Sequence, residues 1–439
     1  MDGHDDVVEL QIEVEQVSRV AAIDIAKASA MVCTRLPRED GSPRRVQRVW
    51  PAQATTNAIE QLADHLVCQS VELVVMEATG TYWKPFFYLL EARGLTVWLV
   101  NARDVKNVPG RPKTDRLDAV WLAKLAERGM LRASFVPPKP VRQLRDLTRL
   151  RKTLTEDRTR YRQRIEKILE DAQIKLSAVL SDLFGVSGRA MLDALVAGAR
   201  SPCALAELAR GSLRGKNSAL IEALTGQFED HHGYLIRLLL EDQDRLTAQI
   251  EALSVRIEQA IAEIDPAPPP DPEHPGRLPL LDRLDEIPGV GRTCAATIIA
   301  EIGVDMTAFP TPGHLASWAK LTPRTIQSGA KRGHGPAGKG NRWLKGPLGE
   351  AAVCTARTQT FLGARYRRIA RHAPAKKAVV ALSRNILEIA WVLINDPDTR
   401  FTDLGASWHE RHVDQARRTR QHIRELEHLG YSVALTQAA

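Results

Sequence analysis

Cysteine is scarce and scattered. The five cysteines (Cys33, Cys68, Cys203, Cys294, Cys354) form no CxxC pair in 439 residues. That spacing excludes a disulfide framework and the ordinary zinc motifs, and it fits a reducing cytoplasm. No export signal is expected, because the opening stretch MDGHDDVVELQIEVEQ is acidic and polar, with no basic flank or apolar core. The most apolar late stretch, Ala378 to Asn395, contains Arg384, Asn385 and Glu388. These would be costly in a bilayer, so a packed helix is expected and no membrane span. Acid is missing from one long interval: between Asp305 and Glu388 the only carboxylate is Glu350, against fifteen Lys and Arg. Solvated faces mix signs, whereas such segregation suits salt-sensitive phosphate contact.

What is present points the same way. A chain of this length with 44% hydrophobic residues can bury two or more cores. Its formal charge of +8 favours a polyanionic partner, with nucleic acid the first suspect.

Apolar runs over Val17 to Ile25, Glu72 to Met76 and Leu95 to Val100 predict buried strands. Helical spacing over Thr56 to Gln69, Trp83 to Ala92 and Thr114 to Glu127 alternates with them, so residues 17–135 read as an α/β domain behind an extension, 1–16. From Val141 the chain turns to long charged helices. Leu144, Leu147, Leu154, Tyr161, Ile165 and Ile168 keep coiled-coil spacing, interrupted by Arg151 and Arg158, and Ile236, Leu239, Leu246, Ile250, Leu253 and Ile257 repeat it. Residues 141–264 are therefore expected to form two antiparallel helices joined by a helical insert, 183–230. DPAPPPDPEHP cannot continue a helix and marks a linker, 265–277. A C-terminal domain, 278–398, and a polar helical tail, 399–439, complete the expected order.

Asp24 in VAAIDIAK and Glu77 in VVMEATGTY each end an apolar strand, where a charge is expensive unless it is used or paired. Asp115 and Asp118 in KTDRLDAVWLAKLA share one face of a helix start. Strand-end turns and a helix dipole would account for them singly. Together, where an α/β sheet binds ligands, they suggest a divalent-cation site of hard oxygen donors, with Mg²⁺ (or Mn²⁺) the expected ion.

In the C-terminal domain, IPGVG followed by RTCAATIIAEIG has the form of a helix-hairpin-helix, in which Gly289 and Gly291 would expose backbone N–H groups to a phosphate. A plain αα-turn would need the same glycines. Arg324, Lys331, Arg332, Lys339, Arg342 and Lys345 cluster around Ser328 and several glycines, and are candidate nucleic-acid contacts. Trp343 is expected to pack, and His314 and His334 have no carboxylate nearby in sequence to orient them.

The order Asp, Glu, Asp-x-x-Asp, with EATGTYWKP and NARDVKNVPGRPKTDRLDA around it, resembles the DEDD insertion-sequence transposases of the IS110 family. LASWAKLTPRTIQSGAKRGHGPAGKGNRWLKGPLGEAA is similar to that family's second domain. The resemblance implies an RNase H or RuvC-like N-terminal domain whose acids are Asp24, Glu77, Asp115 and Asp118, a central coiled coil, and a mostly α-helical C-terminal domain. Ser328, before Gly329, would be the nucleophile. Lys320 departs from the pattern, which leads one to expect a small residue before Leu321. Also implied are a transient phosphoserine link to DNA, a homo-oligomer (dimer or tetramer) paired through the coiled coil, a structured guide RNA, and work at the nucleoid of a bacterial cytoplasm. The residues themselves leave two alternatives open: a structure-selective nuclease of the junction-resolvase kind, which would not need Ser328, and a non-catalytic nucleic-acid-binding protein.

Overall fold

The computed structural model describes residues 17–435, apart from 41, 43, 79, 102–113, 267–277, 330 and 412–414. The expected extension before residue 17, most of the Pro-rich linker and the segment ahead of Lys113's successor Thr114 lie outside the described residues. The chain divides into two compact units after Val136.

The first unit is a five-stranded sheet of β1 (Val20–Ile25), β2 (Ser29–Pro37), β3 (Arg45–Gln53), β4 (Leu73–Glu77) and β5 (Val97–Val100), in the order β3-β2-β1-β4-β5. β1, β2 and β3 are antiparallel neighbours, while β4 and β5 run parallel to β1. Two of these strands, β2 and β3, were not expected. β2 mixes Ser29, Thr34 and Arg35 into its pattern, and β3 is a largely solvated edge strand carrying Arg45, Gln47, Arg48 and Pro51, so neither reads as an apolar run.

Alternation along β1 sends Ala21, Ile23 and Ile25 to one face, against α1 (Thr56–Cys68) and α2 (Trp83–Ala92). Val20 and Ala22 go to the other, against α3 (Asp115–Glu127), which offers Ala119, Leu122, Ala123 and Ala126. The far end of α3 is fixed by charge. Glu127 accepts from Arg35 Nε at 2.7 Å and meets Arg45 Nε at 2.5 Å, so the β2–β3 pair clamps the helix over the sheet.

The second unit opens with a helical hairpin, α4 (Lys139–Asp171) and the later α9 (Asp230–Ile264). Between them, the short helices α5 (Leu176–Val179), α6 (Val186–Val196), α7 (Pro202–Ala206) and α8 (Asn217–Leu224) close a core of their own around the hairpin's tip, with Met191, Leu192, Leu220 and Phe228 packed on Ile165, Leu169, Ile236 and Leu240. The hairpin's seam is apolar at its ends and around the buried Leu246, with polar groups between. Midway, Arg151 Nη1 lies 3.3 Å from Ser254 Oγ and Arg158 Nη1 lies 3.4 Å from Thr247 Oγ1. The seam that sequence spacing suggests is therefore filled from within the chain, and its two arginines meet hydroxyls, not acids.

Beyond the linker come α10 (Leu280–Asp285), α11 (Arg292–Ile302), α12 (Pro312–Trp318), the strand pair β6 (Arg324–Ser328) and β7 (Lys331–Gly335), α13 (Arg342–Ala356), α14 (Phe361–Ala370) and α15 (Ala375–Asn395). Two short helices, α16 (Trp408–Arg411) and α17 (Gln415–His428), follow in the tail. By length and composition α15 could cross a membrane. Here it is the core helix, burying Leu382, Ile386, Leu387, Ala390 and Leu393, and the buried Arg283 donates to the carbonyls of Leu393 and Asp396 at its C-terminus.

Three elements meet at Glu301, which has no solvent exposure. Arg149 of α4 grips it with Nε to Oε1 at 2.8 Å and Nη2 to Oε2 at 2.9 Å, and Arg145 adds Nε to Oε2 at 3.4 Å. Asn341 donates to Glu301 Oε2 at 2.6 Å while its own Oδ1 caps α13 by accepting from Trp343 N–H. A buried carboxylate so gripped is costly to break on one side only. Glu301→Ala is expected to lower unfolding stability by about 3 kcal/mol, read by denaturant titration of the full chain. Glu127→Gln, at a pair still partly reached by water, should cost about 1.5 kcal/mol, read the same way.

Candidate functional site

The register of β1 and β4 runs from Val20↔Leu73 to Ile23↔Met76. Carried one residue further, it sets Asp24 beside Glu77 at the C-terminal ends of two adjacent parallel strands. By alternation Asp24 follows Val20 and Ala22, and Glu77 follows Leu73 and Val75, all four of which face α3. Both carboxylates are therefore directed to the face that α3 covers.

Asp115 and Asp118 stand in the first turn of that helix, Asp115 one turn before the buried Ala119 and Asp118 one turn before the buried Leu122, on the same side. Thr114 starts the helix there, its Oγ1 accepting from Leu117 N–H at 3.3 Å. The Glu127 clamp at the other end sets the helix's direction across the sheet. Thus all four acids predicted from sequence share one face and one edge of a single unit, where open α/β sheets place their ligands. Asp115 is exposed, and Asp24, Glu77 and Asp118 are half-buried.

The donors suit a hard divalent cation in kind. They are not drawn together: among the described residues, no group of three or more His, Cys, Asp or Glu is close enough to hold a metal ion.

In the second unit Ser328 is the last residue of β6 and stands opposite Lys331 in the register, with Gln327 opposite Arg332. Gly329, at φ +57°, begins the turn between the strands. Sequence reading found the turn but not the strand pair, because KRGHG has no apolar alternation. The side-chain placement of Ser328, Lys331, Arg332 and His334 lies outside the described residues. Arg324 and Lys339 are exposed near the two ends of this segment.

Other predicted contacts have structural duties. Lys345 Nζ donates to the carbonyls of Gly338 at 3.1 Å and Lys320 at 3.3 Å, so its ammonium ties a loop. Lys320 itself has φ +57°, a left-handed conformation that glycine adopts at no steric cost, which explains why a small residue is expected before Leu321. Its stem lies along Gly338 and Gly340, and a Cβ on Gly340 would collide with the Ala319 carbonyl. The close approach that these two glycines allow is to the protein's own chain. Trp343 is flanked by Arg342 at 4.4 Å and Arg149 at 5.5 Å, as expected of a packed ring. His314 Nδ1 lies 2.7 Å from Thr311 Oγ1, within the α12 cap.

Gly289 and Gly291 divide likewise. Gly289, at φ +85°, presses on α13, where a Cβ would collide with Thr355 Oγ1 and the Ala351 carbonyl. Gly291 is the N-cap of α11, with open space where a Cβ would be and no side chain capping the helix. The residue that sequence reading passed over is Glu301. Its signal was present, an acid inside the apolar run IIAEIG.

Comparisons with known proteins bear on both units. A family model of the DEDD IS110 type, described as Transposase, matches residues 21–174, and one described as Transposase IS116/IS110/IS902 family matches residues 281–367. A curated relative from Streptomyces coelicolor, "Insertion element IS110 uncharacterized 43.6 kDa protein", is 35% identical over 121 residues. That alignment covers 27% of this chain and 29% of the relative, so it spans less than a third of either. The first model takes in Asp24, Glu77, Asp115 and Asp118, and the second takes in Ser328 with the basic segment around it. Matched by both models in one order, over more than half of its length in total, the chain belongs to the IS110 family of transposases.

Proposed function

We propose that this protein is a DNA transposase that cuts and exchanges the strands of an insertion sequence by phosphoryl transfer. The observation that carries the reading is the parallel pairing of β1 and β4, whose register continued by one residue brings Asp24 beside Glu77, under a helix that begins with Asp115 and Asp118. These carboxylates would hold Mg²⁺ or Mn²⁺, which would supply charge stabilisation to a reacting phosphate. Ser328 is the proposed nucleophile. Its hydroxyl loses a proton, its oxygen bonds to phosphorus, and one sugar oxygen leaves and takes up a proton. The phosphoserine ester keeps the bond energy until a hydroxyl of another strand reverses the step. Lys331 and Arg332, opposite Ser328 and Gln327, with Arg324, Lys339 and Arg342 nearby in sequence, would compensate the phosphate charge.

A structured guide RNA is a second proposed partner, suited by the scarcity of acid across the C-terminal segment. The protein would act as a dimer or tetramer. Since the hairpin's seam is filled from within the chain, assembly through it would use outer residues such as the exposed Leu150 and Val255.

Incubated with DNA bearing the element's ends, the wild-type chain should form a protein–DNA adduct that survives denaturation, and Ser328→Ala should form none. Cleavage at an undiminished rate by Ser328→Ala would make the chain a hydrolytic nuclease instead. Replacing Asp115 and Asp118 by Asn should lower cleavage by about a hundredfold or more, measured under single-turnover conditions, while leaving the fold intact.

A further inference from the structure

A cleft of about 600 Å³ opens in the second unit between the polar middle of the hairpin, the start of α11 and one side of α13. Most of the charge lining it is already matched. Arg149 is held by Glu301, Lys152 meets Glu350 at 3.3 Å, and Arg292 meets Asp282 at 2.6 Å and Glu258 at 3.3 Å. Arg151 and Arg158 differ: among the described residues neither makes an ion pair, and their hydrogen-bond partners are Ser254 and Thr247. Burial works against the charge of Arg151, with Glu258 offsetting part of the cost. Arg158 in turn bears on Arg162, a like charge on the same helix.

Half-buried cations that hydrogen-bond hydroxyls and make no ion pair are costly to maintain, and apolar residues would serve a plain hairpin seam better. At the opposite wall, Gly291, Arg292 and Thr293 bring the uncapped start of α11 to the same cleft. An eleven-residue helix offers its first N–H groups and the positive end of its dipole there. Arg151 and Arg158 lie two turns apart, about 10 Å along the helix axis, a separation that suits phosphates along a strand. The cleft has room for a short stretch of one strand and not for the two backbones of a duplex.

We propose that this cleft binds the phosphodiester backbone of single-stranded nucleic acid, with Arg151 and Arg158 on one wall and the start of α11 on the other. The inference rests on the reading of the chain as a nucleic-acid-processing protein, but it uses neither the carboxylates nor Ser328.

Cys354 provides the test. It is exposed and lines the cleft, whereas Cys294, also in the lining, is buried with its thiol pushed up to about 12. Cys68 and Cys203 are exposed elsewhere and serve as internal references. The full chain would be alkylated with N-ethylmaleimide in EDTA, alone and with oligo-dT, oligo-U or a DNA duplex, and the rate at each cysteine read by mass spectrometry. Either single strand should slow Cys354 at least about threefold, an effect lost at high salt, while Cys68 and Cys203 are unchanged. The dT and U arms show whether DNA or RNA is the source of the phosphates. Arg151→Gln with Arg158→Gln should abolish the protection. So should Thr293→Asp, which puts a carboxylate in the cleft at a position where acid favours the helix, so that loss of binding is separated from loss of fold. An unchanged Cys354 rate with both single strands, equal protection by the duplex, or protection that survives Thr293→Asp would each overturn the proposal. Ser328→Ala should leave the protection intact, so a failure here and a failure of the transposase mechanism are told apart.

Discussion

A carboxylate taken out of water has to be answered by cations, and both units are organised around such an answer. In the first, Arg35 and Arg45 hold Glu127 and thereby lay α3 across the sheet. In the second, Arg145, Arg149 and Asn341 hold Glu301, joining the hairpin to α11 and to the start of α13. Both contacts act on direction more than on bulk. The hydrophobic clusters supply adhesion, but they would tolerate a helix that slid or turned, and the bidentate grip of Arg149 would not.

The proposed function depends on those directions. The proposed site in the first unit needs α3 to begin over the ends of β1 and β4, because its first turn carries Asp115 and Asp118. With the Glu127 end pinned, Asp115 and Asp118 fall on the edge where Asp24 and Glu77 stand. The sheet order β3-β2-β1-β4-β5 puts β1 at its centre, within the residues matched by the DEDD IS110 transposase model. In the second unit the same logic fixes the basic loop. Asn341 closes it on Glu301, Lys345 ties it to Gly338 and Lys320, and β6 and β7 project from it with Ser328 at the turn.

Much of this was legible in the sequence, for a physical reason. Asp24 and Glu77 stood out because each ends a buried strand, and the helix start at Thr114 was marked by its cap and its acids. The paired register of the two strands was not legible, because parallel pairing leaves no local trace. β2 and β3 were missed because one is mixed in pattern and the other is a solvated edge, although their arginines are what hold α3. Arg151 and Arg158 were visible as breaks in a heptad seam, and the structure turned them from an imperfection into the wall of a cleft. Lys345 and the glycines at 338 and 340 read as phosphate contacts because charge and flexibility look alike in sequence, whether they serve a ligand or a loop.

The central claim is that the four acids act as one metal site. Counting tightly bound Mn²⁺ per full-length chain by electron paramagnetic resonance, with and without DNA, tests it most directly. The account predicts at least one such ion in the wild type and its loss in Glu77→Gln, a variant that keeps the register of β1 and β4. The same number of tightly bound ions in both proteins would contradict it.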